Sequence, residues 1–201
     1  QTLDLDARYY MRLGTTGLLA LRARGFKSWG DYPNFFYFGG NSEMHGYQYL
    51  EFVGNRGFFG NAELRFPLIE AMATPIGVLG GIRGVLFFNV GGASFNEQPF
   101  QFAANSTRLY RPIVDYVPNF NTNTYDPVYG SPIVVDGFRL QDGRAAYGVG
   151  LETFALGFPI HFDWSWRTLF NRNWEDVVYS GFGGSSAFRK AQFKVWIGYD
   201  F

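Results

Sequence analysis

The stretch IHFDWSWRT, residues 160–168, alternates residue by residue between apolar and polar side chains. Because successive side chains of a β-strand point to opposite faces, this period of two predicts a strand with two unlike faces. The apolar members are Ile160, Phe162, Trp164 and Trp166. The polar members are His161, Asp163, Ser165 and Arg167. We call the corresponding surfaces of the predicted sheet its apolar face and its polar face.

The same alternation recurs along the chain, and helical periodicity is nearly absent. It predicts an all-β, antiparallel fold with seven strands. The predicted strands are 3–13, a second around 19–24, then 58–68, 80–92, 145–156, 160–168 and 189–201. Their connections alternate between short and long, from GTTG at 14–17 and IEAMATPIG at 69–77 to long insertions at 26–56 and 93–143.

The composition also fits a sheet with one apolar and one polar side. Aromatic residues make up 20% of the 201 residues, 26 residues are glycine, and the formal net charge is +0. The balanced charge and the lack of a basic cluster argue against a nucleic-acid partner. The absence of cysteine excludes disulfides and thiolate metal sites. No apolar run approaches the ~18–20 residues of a membrane helix.

Charges of both signs occupy the polar face of nearly every predicted strand. They are Asp4, Asp6, Arg8, Arg12, Arg22, Arg24, Glu63, Arg65, Arg83, Glu152, His161, Asp163, Arg167, Lys190 and Lys194. A soluble sandwich would bury the apolar face and expose these charges, whereas a transmembrane barrel would turn the apolar face to lipid and the charges to its lumen. Long strands, aromatic residues near strand ends and the sorting of short and long connections favour the barrel.

The number of strands bears on how much of a barrel the chain contains. Single-chain bacterial barrels have an even number of strands and both ends on the periplasmic side. Seven strands leave Gln1 on the outer side, so we expect either an eighth strand near Tyr47–Val53 or the C-terminal portion of a longer barrel, and we favour the second. Residues 93–143 are then expected to form a long extracellular loop.

Several motifs resemble one family of bacterial outer-membrane proteins. They are the GG…HGY loop at 39–47, NAELRFPL at 61–68, GVLFFNVGG at 84–92 and the aromatic C-terminus. Together they resemble the C-terminal barrel of the bacterial surface antigen superfamily, which includes the BamA and TamA assembly proteins and the two-partner secretion transporters. The resemblance implies a barrel in the bacterial outer membrane and a loop, here 26–56, that folds back into the lumen.

The resemblance also assigns the tip of that loop. By position, the tip is His45, Gly46 and Tyr47, preceded by Gly39 and Gly40. In the family an arginine at the tip pairs with acidic residues on the next two strands, and the matching positions here are Glu63 and Asn89. The arginine is replaced by histidine and one acid by asparagine, so a titratable side chain keeps fewer counter-charges. We expect His45 to lie in the lumen near Glu63.

Other chemistry has little support in the sequence. His161 and Asp163 are two residues apart on one strand face, but a charge network explains them better than a metal site. There is no nucleophile motif. We therefore expect no enzymatic activity, no metal and no cofactor.

The expected function is insertion or transport of proteins at the outer membrane, with a seam between first and last strands that opens to accept a substrate strand. The implied partners are outer-membrane lipid, unfolded outer-membrane or secreted proteins and other assembly components. The last strand would supply a seam edge and a C-terminal insertion signal from Phe193, Val195, Ile197, Tyr199 and Phe201. The alternatives are a passive anchor or narrow channel that tethers an upstream periplasmic domain and, with less support, a soluble all-β binding protein.

Overall fold

A computed structural model describes residues 1–74, 77–155 and 158–198. Its main feature is one seven-stranded antiparallel sheet in which spatial order follows chain order. The strands are β1 (Thr2–Leu13), β2 (Gly17–Ser28), β3 (Arg56–Thr74), β4 (Gly77–Ser94), β5 (Arg144–Ala155), β6 (Phe158–Thr168) and β7 (Gln192–Ile197). The predicted all-β, antiparallel class is confirmed. Among the described residues the sheet is open, with β1 and β7 at its edges.

The strands β3 and β4 are longer than the alternation predicted. The expected link at 69–77 is largely strand, because β3 continues to Thr74 and β4 begins at Gly77. The pairing shifts register between Pro67 and Ile69. A bulge of this kind adds one residue to one strand and so interrupts the period of two. The extra residue lies on β3, since Pro67 pairs with Arg83 and Ile69 with Ile82, which explains why the sequence pattern ended β3 too early.

The faces of the sheet differ in burial in an unusual direction. From β2 to β6 the polar face contains buried side chains, which include Arg22, Asn61, Glu63, Asn89, His161 and Asp163, whereas β1 is exposed on both faces. The apolar face is exposed, and its exposed members include Leu5, Leu86, Phe88, Tyr147, Val149, Leu151, Phe193, Val195 and Ile197. A sheet that folds around an apolar core shows the opposite arrangement.

The residues between β2 and β3 cover part of the polar face. Phe36–Phe38 and Phe52–Gly54 form a short hairpin there. Phe38, Met44 and Tyr47 from this segment pack with Phe26 and Phe59 of the sheet in a buried cluster. The main apolar core of this part of the chain therefore lies between the polar face and its own loop.

Residues 101–143 and 167–190 form a second compact unit. It contains paired short strands at Ala103–Asn105, Arg108–Tyr110, Ile113–Asn119, Thr124–Tyr129, Ile133–Val135 and Phe138–Leu140. The segment before β7, expected to be a loop, contains helix α1 (Arg172–Val178), a 3₁₀ turn (Ser180–Phe182) and helix α2 (Gly184–Phe188). Asn171 caps α1 by accepting a hydrogen bond from the Trp174 amide at 3.0 Å.

A buried ion pair organises the interior of this second unit. Glu175 is fully buried and receives Arg189 Nε at 2.5 Å and the Leu169 amide at 2.7 Å. Arg139 is also buried, and its guanidinium lies over the rings of Tyr110 and Trp174. None of the helices in the described part of the chain is long and apolar enough to span a lipid bilayer.

Candidate functional site

The loop tip, residues 39–47, is a tight turn that depends on its glycines. Gly39 has a φ of +129° and Gly40 a φ of +93°. A Cβ on Gly39 would lie 2.9 Å from the Gln48 carbonyl oxygen, so a larger residue has no room there. The Met44 amide donates to the Gly40 carbonyl at 2.8 Å and closes the turn. The predicted Gly-Gly motif therefore serves to bring the chain back towards the sheet.

His45 extends from the loop tip onto the polar face, where it is buried. Its Nδ1 lies 3.2 Å from the Asn89 Nδ2 of β4. Its Nε2 lies 3.8 Å from a carboxylate oxygen of Asp163 on β6. Asn89 is one of the two positions that the sequence assigned as partners of the loop tip. The acid that the imidazole faces is Asp163, which the sequence did not single out for this role.

The predicted partner Glu63 lies on the same face and is buried. Its carboxylate receives Arg65 Nη2 at 2.6 Å and Nε at 3.0 Å. In the register of the sheet Glu63 stands opposite Phe87, the residue on which the His45 ring stacks. Glu63 thus belongs to the surroundings of the loop tip as a partner of Arg65.

An aromatic platform supports the imidazole. The rings of His45 and Phe87 are stacked with centroids 4.1 Å apart. Phe87 stands opposite Gly148 of β5. A Cβ at Gly148 would lie 2.4 Å from the Phe87 ring, so the ring can occupy this position only because residue 148 has no side chain. Phe87 lies two residues before Asn89, so the strand alternation puts both on the polar face, and an aromatic side chain among polar ones is the signal that could have indicated this role.

The neighbouring residue Tyr47 attaches the loop tip to two further strands. Its hydroxyl donates to the Ala145 carbonyl of β5 at 3.1 Å. The Lys194 ammonium of β7 donates to the Tyr47 carbonyl. The loop tip therefore contacts β4, β5, β6 and β7, and we call this set of contacts the tip site.

The electrostatic surroundings keep His45 uncharged. Burial, with contributions from His161, Lys194 and Arg65, lowers the pKa of His45 from 6.5 to about 3. Asp163 would favour the charged form, but its carboxylate already accepts a hydrogen bond from Trp196 Nε1 at 2.6 Å. Since Asn89 Nδ2 can only donate, the neutral ring accepts at Nδ1 and carries its proton on Nε2, towards Asp163.

A second set of charges lies on the polar face between β1 and β2. Arg22 makes two hydrogen bonds to Asp6, at 2.8 and 3.0 Å, and Arg24 makes two to Asp4, at 2.6 and 3.0 Å. Arg24 also lies 3.7 Å from Glu43 in the loop tip. Planar two-point pairing of this kind fixes geometry as well as charge.

The last strand presents the predicted alternation. Phe193, Val195 and Ile197 are exposed, while Lys194 and Trp196 are half-buried on the polar face. Tyr199 and Phe201, which the sequence assigned to the C-terminal signal, lie outside the described residues. In the described part of the chain no group of three or more His, Asp or Glu side chains is arranged to hold a metal ion.

No protein-family model, no curated protein and no solved structure matches the chain.

Proposed function

We propose that this chain is part of the wall of an outer-membrane β-barrel that takes part in the insertion or transport of proteins. The observation that carries the proposal is the burial pattern of β2 to β6, in which polar-face side chains are buried while large apolar-face side chains such as Leu86 and Val149 are exposed. Exposing rows of large apolar side chains to water is costly, and lipid would remove that cost. The polar face would then line the lumen, and the tip site would lie inside it.

Strand length supports the same proposal. β1, β2 and β5 each contain 12 residues and β6 contains 11. A strand tilted by ~45° needs about 9–11 residues to cross the hydrocarbon core. Strands in soluble proteins most often contain about 5–6 residues. These strands are therefore long enough to cross a bilayer, while most soluble sheets do not need such lengths.

The two edge strands of the sheet could pair with a strand of another protein. β1 is paired with β2 on one side, and β7 is paired with β6. An unpaired strand edge presents N–H and C=O groups at which another strand can be added. A client strand that pairs with β1 or β7 would be joined to the wall directly, without enzymatic chemistry. The resemblance of the sequence to the surface antigen superfamily supports this choice.

A passive anchor is the second candidate. It is favoured by the way the loop tip fills part of the polar face, since His45, Tyr47 and Lys194 connect the loop to four strands. A wall steadied in this way could tether another domain without opening.

Site-specific photo-crosslinking in Gram-negative cells tests the choice between the two. A photoreactive residue at Leu5 on β1 is compared with one at Leu86 on β4, since both side chains are exposed on the apolar face. Protein assembly predicts adducts with newly made outer-membrane proteins at Leu5 and none at Leu86. Adducts at neither position, or only with other parts of the same chain, would favour the anchor and contradict the assembly proposal.

A further inference from the structure

We propose that the tip site is a proton-sensitive contact, which holds the loop tip on the polar face at neutral pH and weakens as the surroundings become acidic. The proposal concerns the loop and the sheet alone, so it stands or falls independently of the function proposed above. It rests on the burial of His45 and on the groups around its ring, which favour an uncharged imidazole.

The hydrogen bond between His45 and Asn89 requires an acceptor at Nδ1. Asn89 Nδ2 lies 3.2 Å from that nitrogen and can only donate. A protonated imidazole has N–H donors at both nitrogens, so two donors would then face each other. Turning the Asn89 carboxamide would replace the lost bond, because Asn89 Oδ1 has no hydrogen-bond partner among the described residues. It would supply no negative charge.

The charged groups around the ring give the cation little compensation. From β3 it meets Arg65, whose charge is paired with Glu63 at 2.6 Å. From β6 it meets His161 and Asp163, and from β7 it meets Lys194.

Asp163 is the acid that His45 faces at close range, but it is shared. Its oxygen is 3.8 Å from His45 Nε2 and 2.6 Å from Trp196 Nε1. The residue opposite Asp163 in the sheet register is Lys194. From β4 the ring meets Asn89 and Phe87, neither of which carries charge. Protonation would therefore place a buried positive charge beside a single carboxylate that also accepts a hydrogen bond from Trp196, which is unfavourable.

The expected size of the effect follows from the two states of His45. In the undocked loop the imidazole is in water and its pKa returns to about 6.5, while in the docked loop the pKa is about 3. Below pH 6.5 the docking constant then falls about tenfold per pH unit, because only the undocked loop binds the proton. Between pH 7.5 and pH 4.5 we expect a fall on the order of 100-fold.

Hydrogen exchange of the whole chain measures this constant. The Met44 amide, which bonds to the Gly40 carbonyl, reports on the loop tip, and a peptide covering residues 17–28 of β2 reports on the sheet. After correction for the intrinsic pH dependence of exchange, protection at the tip should fall about 100-fold from pH 7.5 to pH 4.5, while β2 stays protected.

Two variants distinguish the titration of His45 from a general loss of structure at low pH. Asn89→Asp places a carboxylate beside Nδ1, so the charged ring gains a partner and the fall in protection should shrink to less than about tenfold. His45→Gln removes the titrating group, so whatever protection its tip retains should not change with pH. Equal tip protection at both pH values in the unmodified chain would overturn the proposal. So would an Asn89→Asp variant that loses as much protection as the unmodified chain.

Discussion

Replacing Gly148 with alanine should destabilise the sheet, and the structure indicates by how much. The new Cβ would lie 2.2 Å from the Trp164 carbonyl oxygen and 2.4 Å from the ring of Phe87. Overpacking of a close-packed interior usually costs about 1–3 kcal/mol. We expect about 2–3 kcal/mol, because the backbone oxygen cannot rotate away and the displaced ring also supports His45.

The matched control is Gly60→Ala on β3. A Cβ at Gly60 would have the Arg22 carbonyl oxygen as its nearest atom, at 3.8 Å, which is an ordinary contact. Both variants add one methyl group to a glycine inside a sheet strand, and the control should change the free energy of unfolding by no more than about 0.5 kcal/mol. Urea unfolding in lipid vesicles, followed by tryptophan fluorescence, measures both.

A double-mutant cycle with Phe87→Leu identifies the clash itself. If the cost arises against the ring, the smaller leucine should recover at least about 1 kcal/mol of it. Equal stabilities for Gly148→Ala and Gly60→Ala, or strict additivity with Phe87→Leu, would refute the reasoning about the platform beneath His45.

Three further predictions concern the buried charges. Asp6→Asn should lower the free energy of unfolding by about 1–3 kcal/mol, because it weakens the two-point contact with the buried Arg22; chemical unfolding measures this, and no change would contradict it. Glu175→Gln should cost about 3–5 kcal/mol by leaving the Arg189 charge without its partner, and limited proteolysis should cleave within residues 167–190 faster. Finally, the unmodified chain should lose stability on acidification faster than His45→Gln does, by about 1.4 kcal/mol of unfolding free energy per pH unit between pH 6 and pH 4. The reason is that His45 binds a proton in the unfolded state, whereas the folded state excludes that proton until the pH nears 3. Parallel pH profiles of the unfolding free energy for the two proteins would refute this.

The sheet could be predicted because its strands repeat one simple rule. In the stretch 160–168 every second residue is apolar, and in the structure His161, Asp163 and Ser165 are buried along one face. The rule failed where the chain departs from a strict period of two. The bulge between Pro67 and Ile69 shifts the alternation of β3 by one residue, so the outer part of β3 was read as a link.

The second unit shows another limit of pattern reading. Helix α1 contains seven residues, about two turns, which is too short to establish a helical period. The remaining signal is the cap at Asn171, and asparagine is equally common in turns. The Glu175–Arg189 pair joins residues that are 14 positions apart, so only the folded chain brings them together.

The tip site was predictable in part. The glycine doublet and the position of Asn89 pointed to a loop that returns to the polar face, and His45 does contact Asn89. The identity of the facing acid was not predictable, because it depends on how deeply the ring extends across β4 and β5 towards β6. The absence of a side chain at Gly148 and the stack on Phe87 determine that reach, and neither feature carries charge.

The central claim is that the apolar face of this sheet meets lipid. The chain has no cysteine, so single cysteines along β7 can each carry one nitroxide spin label in reconstituted bilayers. The account predicts that labels at Phe193, Val195 and Ile197 are accessible to oxygen, which concentrates in the hydrocarbon core, and shielded from a water-soluble nickel reagent. Labels at Lys194 and Trp196 should show the reverse. Accessibility to the nickel reagent at all five positions, without the alternation, would contradict the claim.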